Sequence, residues 1–391
     1  MKKLLVYSHD TYGLGNIRRM LAICQHLLEV IPDLSILLVT GSPVIHSLRL
    51  PALLDYIKLP CLTRTGRGEY RTKYLSASLE DAVRLRSDLI LTTVANFKPD
   101  LLLVDKKPFG VKGELAAALS YLESNQPETK QVLILRDILD SPETIRSNWQ
   151  RNGHYEAVER FYDSVLVLGE QKIFDPVREY AFPPPVARKT EFCGYIRKEP
   201  ERQMRAETRA RLEVRDDQKL VLVTSGGGED GYHLLETYLA ACQASPVEQI
   251  KSLLVCGPEM PEAQRKQLQQ QAAADSRVLF REFAGDMLSL MAASDVIVSM
   301  GGYNTVCEIL SLKKPAIVVP RAQPTEEQWI RADRMSRLGY FNMLHPDELT
   351  PQRLRSELLE VLTRHQRTFP GINLNALPVV TARVESLLDK R

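Results

Sequence analysis

Three short stretches of the 391-residue chain carry side chains that could do chemistry. The first is YSHDTYGLGN, Tyr7 to Asn16, where an apolar run ends in His9 and Asp10 and turns through Gly13 and Gly15. A histidine titrates near neutral pH and can take a proton from a hydroxyl. Glycines let a ligand approach the backbone closely. The grouping fits a turn with something anionic or sugar-like seated over it. The second stretch is VTSGGGEDGYH, in which Ser225, Gly226 and Gly227 follow another apolar run. A strand, a glycine turn and a helix in that order aim backbone amides at phosphate. The order is not GxGxxG and no GK[ST] follows, so neither a dinucleotide fingerprint nor a P-loop is supported. Taken alone, this stretch reads equally well as a tight turn. The third is VSMGGYNTVCEIL, with Gly301 and Gly302, then Asn304 and Thr305 as side-chain donors, and Glu308 in the second turn of the helix that follows. A carboxylate there can grip a vicinal diol, as on a ribose. Each residue singly reads as part of a capped helix; together they point to a nucleotide.

Further candidates sit where apolar runs end. VDKKPFG places Asp105 and Lys106 at one run's end, and LILRDILD places Arg136 and Asp137 at another. Ligands collect at the carboxyl ends of parallel strands, and each aspartate could equally cap a helix. The loop CLTRTGRGEYRTKY carries Arg67 among other basic residues, either as a lip over an anionic partner or as a solvated loop. No DxD pair lies in a metal-binding setting, so no metal is expected.

These residues need a scaffold, and the pattern supplies one. Short apolar runs such as KLLVYS, SILLVT, DLLLVD, QVLILRD and SVLVLG alternate with amphipathic stretches. That is the βαβ rhythm of a parallel sheet covered on both faces. After Pro183-Pro184-Pro185 and a charged stretch from Arg197 to Arg215, a second rhythm begins with KLVLVT, SLLVCG, RVLFREF, DVIVSMGG and PAIVVP. The chain is expected to be α/β with two domains, 1–195 and 196–375, and a final helix over 376–391 that packs on its own half or crosses back to the first. The formal charge of +2 argues against a dedicated nucleic-acid binder. Six scattered cysteines without a CxxC pair fit reduced thiols. The basic start MKKLLVYSHD mimics a signal peptide, but its apolar run is too short.

The stretch REFAGDMLSLMAASDVIVSMGGYNTVCEIL, followed by KKPAIVVPR and EEQW, resembles the C-terminal half of GT-B nucleotide-sugar glycosyltransferases. The resemblance is strongest to the MurG-like transferases that use UDP-N-acetylglucosamine. It covers roughly residues 220–335. The first half resembles a branch of glycosyltransferases marked by a Ser-His-Asp-x-x-Gly-Leu-Gly turn. The resemblance implies two Rossmann-like domains with parallel sheets facing across a cleft. It implies that Phe283, Ala284 and Met287 lie at the nucleobase, and that Gly301, Gly302 and Thr305 hold the diphosphate with Ser225 and Gly226. It also implies that Glu308 binds the ribose, and that Glu327 and Gln328, on the loop after Arg321, contact the donor sugar. This sequence has Glu326-Glu327-Gln328 where the relatives have a His/Asp/Gln-rich set, so the sugar stays open.

In the same family the first half binds the acceptor, and its glycine turn faces the donor phosphates, which places Gly13, Gly15 and Asn16 on the donor side. MurG-like relatives end this turn in a histidine; here Asn16 stands in that slot, and an amide cannot act as base. His9 is then the preferred base, with Asp10 orienting it or standing in for it, and Asp105 and Asp137 as alternatives. Arg67, Lys106 and Arg136 would receive an anionic or lipid-linked hydroxyl acceptor. The expected activity is inverting, metal-independent sugar transfer from a UDP-sugar, with no cofactor, in the cytoplasm with peripheral contact at the inner membrane face. A UDP-N-acetylglucosamine 2-epimerase and a catalytically inactive nucleotide-binding regulator are the alternatives.

Overall fold

The computed structural model describes residues 1–9, 15–66, 69–199, 205–244, 247–363 and 369–389. The chain divides into two compact units, Met1–Ile196 with Asn373–Arg391, and Arg197–Ile372.

The first unit contains β1 (Lys2–Ser8), β2 (Leu34–Thr40), β3 (Leu54–Lys58), β4 (Leu62–Gly66), β5 (Glu69–Thr72), β6 (Leu101–Asp105), β7 (Lys130–Arg136), β8 (Ser164–Leu168) and β9 (Thr190–Phe192). Seven of these form one parallel sheet in the order β3-β2-β1-β6-β7-β8-β9. β6 and β8 are buried at every position, as continuous apolar runs demand when a sheet is covered on both faces. The chain leaves β1 toward β2 on one side and returns to β6 on the other. The carboxyl ends of β1 and β6 therefore flank the point where connections diverge, which is where open α/β sheets bind ligands.

β4 and β5 form an antiparallel hairpin with an irregularity between Arg64 and Gly66, where the sequence suggested a loop. Tyr70 anchors it by packing against the cluster of Leu62, Ala82 and Val111. The hairpin also leads into the helix Leu79–Phe97, whose N-cap Ser78 accepts from the Asp81 amide at 3.0 Å.

The last helix, Ala376–Leu388, belongs to this unit and packs on the first helix, Gly15–Val30. His26 Nδ1 meets Thr381 Oγ1 at 2.7 Å, and Lys2 pairs with Asp389 at 2.5 Å. The segment leading into it pairs antiparallel at Ile196 with Asn375, and the Tyr195 amide donates to the Asn373 carbonyl at 2.8 Å. Gly194 sits at φ +82°, where a Cβ would lie 2.6 Å from Asn373 Cγ, so only glycine allows this approach.

The second unit contains β10 (Lys219–Thr224), β11 (Ile250–Val255), β12 (Val278–Arg281), β13 (Val296–Ser299), β14 (Ala316–Val318) and β15 (Asn342–Met343). They form a parallel sheet in the order β12-β11-β10-β13-β14-β15. Val221, Val223, Leu254, Val296, Val298 and Ile317 of these strands pack in one core with Leu235 and Leu354 from helices. Here the divergence falls between β10 and β13, the two strands that lead into Gly226 and Gly301.

Candidate active site

The register sets Thr224 beside Ser299, and Ser299 beside Val318. The turns that follow β10, β13 and β14 are therefore neighbours at one edge of the second unit. After β10, Gly226 and Gly228 take positive φ, +72° and +102°. A Cβ on Gly228 would come within 2.3 Å of the Cys256 carbonyl oxygen, because this turn stacks on the one after β11. Ser225 Oγ donates to that same carbonyl at 2.6 Å, the Gly226 amide donates to Thr224 Oγ1 at 3.2 Å, and the Glu259 amide donates to the Gly227 carbonyl at 2.8 Å. The inner side of the turn is thus fully engaged. Its outer side is open, for a Cβ on Gly226 or Gly227 would meet nothing within 4 Å.

After β13, Gly301 sits at φ +77° with Val318 packed against it, while Gly302 has open space where a Cβ would be. Gly302 is the N-cap of the helix Tyr303–Leu312 and has no side chain to satisfy the first-turn amides. Such an uncapped start favours negative charge. Asn304 and Thr305 lie in its first turn, and Glu308 is half-buried in its second. After β14, Arg321 bridges two turns: Nη1 donates to Asp230 at 2.8 Å and Nη2 to Thr325 Oγ1 at 3.2 Å. The Arg321 amide donates to Gln328 Oε1 at 3.1 Å, which fixes the orientation of that side-chain amide. Glu327, Gln328 and Arg331 are buried along the helix Glu327–Arg337. Beyond β12, Phe283 is 50% exposed, Ala284 is buried, and Met287 opens the helix Met287–Ala293.

In the first unit, the sheet order brings His9 and Asp105 together. The His9 amide donates to Asp105 Oδ2 at 3.3 Å. Arg19 Nη2 donates to Asp105 Oδ1 at 2.7 Å, with the arginine side chain 1% and the aspartate 0% exposed. Asn16 is drawn in as well: its Nδ2 donates to the His9 carbonyl, and its Oδ1 accepts from Arg19 at 3.2 Å. The His9 ring is buried, and Nδ1 has no hydrogen-bond partner among the described residues. Burial pushes its pKa well below the ordinary value, and the charges of Lys106, Lys107, Arg86 and Arg136 add to the effect. The ring is therefore neutral at neutral pH.

Asp137 is committed locally: Oδ1 accepts from the Ile138 amide at 2.8 Å, and Oδ2 from Tyr195 Oη at 3.1 Å. Arg136 is buried beside it. Lys106 is held at φ +72° immediately after Asp105. Lys107 Nζ stands 3.5 Å from Tyr70 Oη of the hairpin. Behind these residues lies a buried network in which Arg86 donates to both Glu114 oxygens, at 2.5 and 2.7 Å, and Tyr7 Oη donates to Glu114 at 2.5 Å. It anchors the segment after β6, because Tyr7 Oη also accepts from the Val111 amide at 3.1 Å. Asp10, Gly13 and Arg67 lie outside the described residues, and Gly15 begins the first helix.

Sequence reasoning passed over Arg19, Glu114, Asp230 and Arg331. Arg331 carried the one readable signal, its helical spacing of four from Glu327 in EEQWIRAD. Among the described residues no group of His, Cys, Asp or Glu is arranged to hold a metal.

Two doubly wound parallel sheets, each with its turns gathered at a point of divergence, place the chain in the GT-B fold class. The fold extends over its whole length: MurG of Acinetobacter baumannii superposes with a TM-score of 0.61 at 14% identity, covering 99% of this chain and 100% of that one. A UDP-GlcNAc 2-epimerase of Neisseria meningitidis, solved with UDP-GlcNAc bound, gives 0.62 at 15% identity over 99% of this chain and 100% of its own. Within that class, residues 220–376 match the glycosyltransferase family 28 C-terminal domain. The chain is similar to the UDP-N-acetylglucosamine–N-acetylmuramyl-(pentapeptide) pyrophosphoryl-undecaprenol N-acetylglucosamine transferase of Shouchella clausii, 31% identical over 111 residues, 27% of this chain and 31% of the relative. The chain spans about a third of the length of the curated relatives it first matches.

Proposed function

We propose that the protein is a glycosyltransferase that moves N-acetylglucosamine or another hexose from a UDP-linked donor to a hydroxyl acceptor, with inversion and without a metal. The observation that carries this reading is the pair of glycine turns with open outer faces at Gly226-Gly227 and Gly302, set side by side where β10 and β13 diverge. The donor diphosphate sits on those amides and on the start of the helix Tyr303–Leu312. Glu308 takes the ribose hydroxyls, Phe283 and Ala284 the base, and Glu327 and Gln328 the sugar.

The first unit binds the acceptor. Lys106, Lys107 and Arg136 suit an anionic group, and the exposed Tyr74 and Leu75 beside Lys73 suit peripheral contact with a membrane surface. His9 takes the proton of the acceptor hydroxyl. The acceptor oxygen attacks the anomeric carbon, the bond from that carbon to the diphosphate breaks, and the electron pair leaves on the diphosphate. Amides fixed before the reaction stabilise that charge as it develops.

The test combines calorimetry with UDP and turnover of UDP-N-acetylglucosamine with and without hydroxyl acceptors. The expected result is UDP binding with acceptor-dependent release of UDP, reduced about a hundredfold to ten-thousandfold in His9→Ala with donor affinity retained. Sugar epimerisation without acceptor would replace the transferase reading with an epimerase. Binding with no turnover under any acceptor would leave a regulatory protein.

A further inference from the structure

Arg331 is fully buried, yet it is a charged residue at the middle of the helix Glu327–Arg337. Its Nη1 donates to the Gly301 carbonyl at 3.3 Å, and its guanidinium lies 5.7 Å from the centroid of the Tyr303 ring. It therefore touches the residues on both sides of Gly302. A trans peptide carries its C=O and N–H on opposite edges of one plane. Holding the Gly301 carbonyl inward, toward a buried guanidinium, turns the Gly302 N–H outward. Outward is the side on which a Cβ at Gly302 would meet nothing within 4 Å. The peptide has glycine on both ends, so side-chain sterics do little to stop its plane from rotating. Gly301 already sits at φ +77°. A charged donor to the carbonyl is the restraint that sterics do not supply.

We infer that Arg331 is a positioning residue that locks the Gly301–Gly302 peptide with its N–H aimed at the donor diphosphate. The inference rests on the nucleotide-sugar reading of this site. Without the lock, the plane can rotate and present the Gly301 carbonyl oxygen to the phosphate, replacing a hydrogen bond with repulsion between two acceptors. Arg331 itself need not touch the ligand. Its effect should be confined to the part of the ligand that meets this peptide.

The experiment compares UDP and uridine binding by calorimetry in the wild type, Arg331→Met and Arg331→Lys, with thermal melting of each. Charge-assisted hydrogen bonds of this kind govern roughly tenfold to a hundredfold changes in affinity. The expected result is a loss of UDP affinity of that order in Arg331→Met, uridine affinity within about twofold of wild type, and partial recovery of UDP binding in Arg331→Lys. Equal losses for UDP and uridine would reduce Arg331 to general support of the domain and overturn the inference, as would unchanged UDP binding in Arg331→Met. If Arg331→Met does not fold, Arg331→Lys decides: the shorter, single-headed donor should weaken UDP more than uridine. Failure of the wild type to bind UDP would instead remove the nucleotide reading itself.

Discussion

Asp105→Asn separates a structural carboxylate from a catalytic one. In the folded protein, Asp105 and Arg19 form an ion pair with side chains 0% and 1% exposed. The asparagine keeps an oxygen for the His9 amide but removes the carboxylate charge bonded to Arg19. Breaking a buried ion pair by removing one of its members costs about 3–5 kcal/mol, a large share of the roughly 5–15 kcal/mol that holds a domain together. For a unit of this size each kcal/mol moves Tm by about 2–4 °C, so the first unit should melt on the order of 10 °C lower. Scanning calorimetry reads this directly. A second variant sharpens it: Arg19→Met with Asp105→Leu removes both charges and should recover much of the loss, since buried pairs are often replaceable by apolar groups. The reasoning is refuted if Asp105→Asn melts within a degree or two of wild type while turnover falls a hundredfold. Asp105 would then be the base, and His9 a neighbour held in place by it.

Two further outcomes follow from the same geometry. Glu308→Ala should weaken UDP binding by about tenfold to a hundredfold, the loss expected from the charge-assisted ribose bonds that the proposed function assigns to it; calorimetry with unchanged affinity would remove Glu308 from the site. His154 lies between the rings of Phe109 and Trp149, and burial, with Lys107 nearby, pushes its pKa down to about 4. Between about pH 6.5 and 4 the unfolded chain binds a proton there that the folded chain refuses, so stability falls as pH falls through that window, by up to about 3 kcal/mol. His9 is shifted in the same direction; in His154→Phe the acid-induced loss should shrink, and denaturant titrations at pH 7 and pH 4.5 measure the difference.

How much of this could be read beforehand depended on whether an element's cause is local. DLLLVD, QVLILRD and SVLVLG announce β6, β7 and β8 because strands covered on both faces must be apolar throughout. LDYIK, TEF and FNM are shorter or mixed, and their strands β3, β9 and β15 exist because a neighbour in the sheet completes them. The hairpin β4–β5 was hidden by its arginines and glycines, since only Leu62 and Tyr70 of its described side chains reach the apolar cluster. At the site, residue types were legible but partnerships were not. Arg19 meets Asp105, and Tyr7 meets Glu114, only because β6 lies beside β1. No spacing along the chain encodes that adjacency.

The return of the chain to the first unit has a consequence for how the protein is made. Ile196 and Asn375 are paired, so the whole of Arg197–Ile372 is spliced into the first unit at one seam. The helix Ala376–Leu388 buries Val380, Val384 and Leu387 in that unit. On the ribosome, the first sheet emerges early but waits for this helix, with the apolar face of Gly15–Val30 still uncovered. The second unit can finish within its own contiguous stretch. The half that is translated first is therefore completed last, and a stalled or truncated chain would display the second unit folded and the amino-terminal unit open.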